Sequence, residues 1–323
     1  MTRLSARHRA ELSIAFALPL IALVLGILAP GFFARGNLTD MFLANMPVLI
    51  AALGMTIIIL TGNIDISVGS VFAVCGVAAG LLAKAGLPLP LAAVGACATG
   101  AALGALNGAL VAFVRIPSIV VTLATMVALR DGLRWATDGA WIQDLPAGFQ
   151  WLGFSQSTYP AFVLGVSLVL TAGFAWGLRN LPIGRAVYAT GSNAHAARLA
   201  GFHPSGVIFA AFTVAGALTG LAALLNAVRF NQIPSNAGLG LEMKVIAAVV
   251  VGGAAITGGR GTVLGTVLGV VLLSAIGPAL TFLGVSAYWE RALQGAIILA
   301  AVAVDAFRTA PVRHRTVAAD AHA

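Results

Sequence analysis

The chain has little charge: 9% of its 323 residues are Asp, Glu, Lys or Arg, against about a quarter in an ordinary soluble domain. That shortage excludes a conventional solvated surface. Lysine is scarcest of all, with only Lys84 and Lys244, and neither follows a glycine. A phosphate-cradling GxxxxGK[ST] loop needs that lysine to reach the phosphates, so the chain carries no Walker-type ATPase of its own. It has no HExxH, no GxSxG and no His, Cys and carboxylate cluster at ligand spacing. Those absences argue against an enzyme and give no reason to expect a cofactor or a metal. Cys75 and Cys97 lie inside apolar runs without a CxxC and read as packing residues. The alternating ten-residue segments of a membrane β-barrel are missing too.

What remains is apolar. Hydrophobic residues make up 60% of the chain and the mean hydropathy is +1.00. Apolar runs of about 20 residues, the length a helix needs to cross hydrocarbon, recur along the sequence. The expected fold is an all-α polytopic membrane protein of about ten transmembrane helices, near 12–30, 41–60, 66–84, 90–113, 119–136, 160–178, 206–228, 243–257, 263–283 and 290–307. A re-entrant segment from Ala248 to Thr257 would lower that count. The N-terminal apolar run, Leu12 to Ala29, exceeds a signal-peptide core and reads as a retained first span. Arg3, Arg7 and Arg9 hold the N-terminus inside by the positive-inside rule. The net charge of +8 follows span ends rather than one face, so it predicts a lipid bilayer as partner and no nucleic acid. Both termini are expected on the cytoplasmic side of the inner membrane. The longest outer segment, Thr137 to Tyr159, carries Trp141, Trp151 and Tyr159, which suit a membrane interface.

Gly100, Gly104, Gly108 and Pro117 recur as Gly261, Gly265, Gly269 and Pro278, each displaced by 161 residues. With the orientation above, the two copies run in opposite directions, the pattern of an inverted-repeat transporter. Two glycine-rich packing helices without shared ancestry give the same spacing. On the repeat reading, one transmembrane domain divides into a first half (1–178), a cytoplasmic loop (179–205), a second half (206–307) and a tail (308–323).

The loop from Arg179 to Ser205 has three arginines, two histidines and no acid, and its second half reads GSNAHAARLAGFHPS. A positive-inside anchor explains the arginines but not the small-residue run Asn193 to Ala200, framed by Gly191 and Gly201. That run predicts a short helix on which a cytoplasmic partner docks. In LTGNIDISVGS (Leu60 to Ser70), Asp65 and Ser67 either cap the third span or belong to the pathway or its gate. Glu242 and Lys244 either form a local ion pair closing an outer loop or help dock an outer partner. Asn107, beside the Gly104/Gly108 face, either lines a pathway or bonds across helices. The charged residues Asp65, Asp131, Glu242, Lys244, Glu290 and Asp305 fall near span ends, which weakens the alternative of a self-sufficient secondary carrier with inverted repeats. Neutral groups such as Asn45, Asn63, Asn107, Thr122, Thr125, Asn226 and Asn231 suit a polyhydroxylated solute that must also leave.

Five segments carry a resemblance when taken together: GNIDISVGS (Gly62 to Ser70), GALNGALVAFVRIPSIVVTLATM (Gly104 to Met126), the stretch from Gly184 to Gly201 that ends in ATGSNAHAARLAG, GLGLEMKVIAAVVVGG (Gly238 to Gly253) and GGRGTVLGTVLG (Gly258 to Gly269). They resemble the permease subunits of sugar ABC importers of the ribose/xylose/rhamnose branch. The resemblance runs from about Asn37 to Asp305. Asn63, WIQDLP (Trp141 to Pro146) and SAYW (Ser286 to Trp289) make it closest to the rhamnose and autoinducer-2 permeases. It implies a cytoplasmic ATP-binding subunit, a periplasmic sugar-binding protein and a second permease copy, identical or not. It also implies an ATPase-coupling role for Gly191, Asn193, Ala196, Ala197 and Gly201, and pathway or gating roles for Asn63, Asp65 and Asn107.

Overall fold

The structure is a computed structural model and describes residues 9–286 and 288–309. Arg3, Arg7, Arg313 and Arg315, with most of the expected tail, lie outside the described residues. Among those described there are twelve α-helices and no strand. They are α1 (Arg9–Leu28), α2 (Arg35–Leu60), α3 (Val68–Lys84), α4 (Leu89–Ala112), α5 (Ser118–Ala136), α6 (Tyr159–Asn180), α7 (Pro182–Ser192), α8 (Ala194–Leu199), α9 (Pro204–Ala227), α10 (Leu241–Val251), α11 (Val263–Phe282) and α12 (Trp289–Thr309). Pro182 and Pro204 open α7 and α9, where a missing N–H leaves nothing unsatisfied.

Among the described residues five helices, α2, α4, α6, α9 and α11, are long and apolar enough to cross a membrane. In α2 the most apolar stretch is 89% buried and in α6 only 11%. An apolar helix buried all round is a core element, so α2 is the axis of the molecule and α6 lies at its edge. The expected span at 243–257 is shorter than its hydropathy suggests. Helix α10 has 11 residues, about 16 Å at 1.5 Å per residue, roughly half the hydrocarbon thickness. It stops at Gly252 and Gly253, the latter with φ +93°, and the chain turns through Gly258 and Gly259 before α11.

Around α2 pack α9, α10 and α11, while α9 also lies along α4 and α3. The glycines of α4 face α9: a Cβ on Gly104 would come within 3.0 Å of Phe212 C and 3.2 Å of Gly216 Cα. Those of α11 face α10: a Cβ on Gly269 would lie 2.9 Å from Ala248 C and 3.1 Å from Gly252 N. Two helices can approach this closely only where side chains vanish. Gly261 sits before the start of α11, with φ +152°.

The segment between α5 and α6 folds back onto the chain after α9. Ile142 and Ile233 form an isolated antiparallel bridge, Trp151 N donates to Val228 O at 2.7 Å, and Lys84 Nζ donates to Gln143 O at 2.9 Å. Of the expected interface aromatics, Trp141 is exposed, but Tyr159 is fully buried. Its hydroxyl donates to Leu225 O at 2.6 Å and its ring meets Trp151 edge-on at 5.2 Å. Tyr159 is therefore a strut between α6 and α9, not an interface anchor.

Candidate functional site

The expected short helix exists and is built on a second helix that the sequence pattern does not reveal. Helix α7 buries Gly184, Ala186, Val187 and Thr190 on one face. The chain then breaks at Asn193 (φ −164°, ψ 103°), whose Oδ1 accepts from His195 N and Ala196 N, each at 3.0 Å. This is the N-cap arrangement in which a short polar side chain satisfies the first free amides of a helix. Gly201, with φ +84°, closes the other end; its N–H donates to Arg198 O and that of Phe202 to Ala197 O, both at 3.0 Å. Asn193 and Gly201 thus fix both ends of α8. Ala196 points out and Leu199 is 79% exposed, whereas Ala197 is 2% exposed. Ala197 packs the underside of α8 and does not present itself to a partner.

At the base of α8 the backbone packs without side chains between. Gly191 lies against Leu60 O, at the end of α2, and a Cβ there would fall 2.6 Å from Gly259 N. Gly259 N itself donates to Leu60 O at 2.9 Å. Gly62, with φ +79°, faces Thr257 O, and Tyr188 of α7 donates to Gly261 O at 2.9 Å. The end of α7, the end of α2 and the turn between α10 and α11 therefore meet at one junction.

A second group of predicted residues lies in the interior. Asp65 Oδ1 accepts from Ser67 N at 2.8 Å and from Ser67 Oγ at 2.6 Å. Ser67 Oγ accepts from Asn107 Nδ2 at 2.9 Å, and Asn107 Oδ1 accepts from Thr125 Oγ1 at 2.7 Å. Asp65, Ser67 and Asn107 are all buried. The chain of bonds ties the α2–α3 linker to α4 and α5, so Asp65 and Asn107 belong to one network. Ser67 precedes α3 but makes no side-chain cap bond; its hydroxyl is spent on Asp65 and Asn107. Asn63 stands apart, donating to Thr61 Oγ1 at 3.1 Å.

The local Glu242–Lys244 pair gives way to longer-range partners. Residues two apart on a helix do not face each other. Glu242 of α10 and Arg130 of α5 both reach the surroundings of Gly69 at the start of α3. Lys244 and Glu290 of α12 line one cavity. Arg130 also donates to Ala237 O at 2.9 Å. Arg130 is the member that sequence reasoning misses, although an arginine twelve residues into an apolar segment is itself a signal.

Residues 37–302 match a family described as "Branched-chain amino acid transport system / permease component". The chain belongs to this permease family. It is a multi-pass membrane permease. An Escherichia coli (strain K12 / DH10B) protein named "Autoinducer 2 import system permease protein LsrC" is 37% identical over 291 residues, covering 88% of this chain and 85% of that protein. The Salmonella typhi protein of the same name is 36% identical over 305 residues, covering 93% and 86%. No solved structure matches the chain.

Proposed function

We propose that the chain is the transmembrane subunit of an ATP-binding cassette importer that carries a monosaccharide or sugar-like small molecule, of the rhamnose, ribose or autoinducer-2 type, across the inner membrane. A separate ATPase subunit supplies the energy, since the chain lacks a phosphate-binding lysine loop. The observation that carries the reading is the junction beneath α8. A partner that grips Ala196 and Leu199 moves α7, and Gly191 at its end touches the ends of α2 and of the α10–α11 turn through backbone alone. A push on the surface therefore reaches the most buried helix with little slack, because packed backbone yields less than side chains do. Gly191, Asn193, Ala196 and Gly201 shape the docking knob, and Ala197 anchors it. Asp65 and Asn107 gate or line the pathway, with Asn63 at its edge.

The substrate reading leans on the relatives' names, because the family description names a different solute. Helix packing supports two inverted five-helix halves, α1–α5 and α6 with α9–α12: α3 lies on α4 and α5 as α10 lies on α11 and α12, and α4 meets α9 as α11 meets α2. In this reading both termini are cytoplasmic and a second permease copy, identical or related, completes the pathway. The paired outer segments, with a cavity of about 500 Å³ between residues 143–150 and 230–232, receive a periplasmic sugar-binding protein.

Ala196→Glu and Leu199→Glu test the knob, since both change only exposed side chains. Each is expected to abolish capture of the ATPase subunit in mild detergent and ATP-dependent uptake, with membrane levels unchanged. Uptake that survives ATP depletion in the native protein would overturn the importer reading in favour of a secondary carrier.

A further inference from the structure

A cavity of about 680 Å³ opens where α10 and α12 begin, lined among others by Lys244, Ser286, Tyr288, Glu290, Arg291 and Gln294. Its volume falls in the range of about 300–1,000 Å³ usual for small-molecule sites. We infer that this cavity binds a neutral, polyhydroxylated solute between the Lys244 ammonium and the Glu290 carboxylate. Its place on a transport route rests on the proposed import function; the binding itself does not.

Three features of the cavity select that chemistry. Lys244 and Glu290 line the cavity together, and the Lys244 ammonium makes no hydrogen bond among the described residues, which leaves its three donor hydrogens available to a bound molecule. Glu290 Oε1 accepts from Gln294 Nε2 at 3.0 Å, which holds the carboxylate in place. A hydroxyl-rich molecule accepts from Lys244 and donates to Glu290 through charge-assisted bonds while the two charges stay balanced. A bare anion would instead face Glu290 as a like charge, and a bare cation would face Lys244 and Arg291. Tyr288, 92% exposed, offers a broad apolar ring beside these polar groups, and a sugar ring presents C–H faces as well as hydroxyls.

The full-length chain in lipid nanodiscs, without any partner, is tested for binding of D-ribose and L-rhamnose by saturation-transfer NMR. At least one sugar is expected to bind, weakly enough to release onward. Lys244→Met and Glu290→Gln are each expected to weaken binding about tenfold or more, as loss of a hydrogen bond to a charged group does. Lys84→Met, outside the cavity, is expected to leave it unchanged. Glu290→Gln preserves size and shape and stands as the test if Lys244→Met fails to fold. Binding of neither sugar, binding unaffected by both cavity variants, or competition by sulfate would overturn the inference. Sugar binding that persists in a chain showing no ATP-driven uptake would sink the importer reading and leave this site standing.

Discussion

Helices α4 and α11 carry the same glycine spacing and use it differently. On α4, Gly100, Gly104 and Gly108 meet α9, a 24-residue helix, and Gly216 and Gly220 on that helix answer them. On α11, Gly265 and Gly269 meet Gly252 and Ala248 at the end of the 11-residue α10. The first contact is a full-length clamp with backbone on both sides. The second ends in a turn whose far side touches α7. Equal spacing thus marks equal closeness, not equal partners. If the halves are related, the glycines of α11 have been turned from the other half towards their own.

The largest expected effect separates these two contacts. Gly104→Val drives a branched side chain into the backbone of Phe212 and Gly216, neither of which can rotate away. Overpacking of this kind costs about 3 kcal/mol or more, and the prediction is loss of monodisperse protein after detergent extraction. Gly265→Val meets Gly252 at the end of a short helix, which can swing on its turn, so a smaller drop in melting temperature is expected. Equal losses in the two variants would remove the distinction between clamp and turn.

Gly191→Ala sharpens the comparison from the turn side. Its Cβ would press on Leu60 O and fall 2.6 Å from Gly259 N, parting the hydrogen bond between those two residues. Here the expectation is loss of uptake by about tenfold or more at near-normal protein levels, because the junction can open without unpacking α2. If uptake holds while the protein melts earlier, the junction is structural and the coupling path runs elsewhere.

Asn107→Ala tests the clamp side. It removes the bond that Ser67 Oγ accepts from α4 and the one that Thr125 Oγ1 donates to it, leaving buried polar atoms that cost about 1–3 kcal/mol. Combined with Ser67→Ala in a double-mutant cycle, a coupling of about 0.5–3 kcal/mol is expected. Additive losses would mean that the two side chains share a site without acting together.

The apolar spans are legible in the sequence because continuous hydrophobicity of membrane-crossing length has few other uses. The break in α10 is written there as well, in Gly252, Gly253, Gly258 and Gly259, but hydropathy alone runs straight across it. The polar network is half legible. Asp65 and Asn107 stand out as polar residues in apolar surroundings, yet Ser67 and Asn107 are 40 positions apart, and only the packing of α3 on α4 makes them partners. The orientation of Ala197 is hidden for a different reason: a helix of six residues has too few turns for its buried side to show as a pattern.

The smallest expected effect lies at the tip of α8. A helix of six residues cannot stand on propensity, since even much longer isolated helices are marginal in water. Its first turn depends on the two amides that Asn193 Oδ1 accepts. Asn193→Ala should loosen that turn by about 1 kcal/mol, which the buried Ala197 and the Gly201 closure partly offset. The predicted result is a few-fold loss in ATPase-subunit capture with the melting temperature almost unmoved, and recovery in Asn193→Asp, whose carboxylate accepts the same two bonds. Capture that falls equally in the aspartate variant would show that the partner reads the amide nitrogen of Asn193 itself. The residue would then be a contact, and the cap incidental to it.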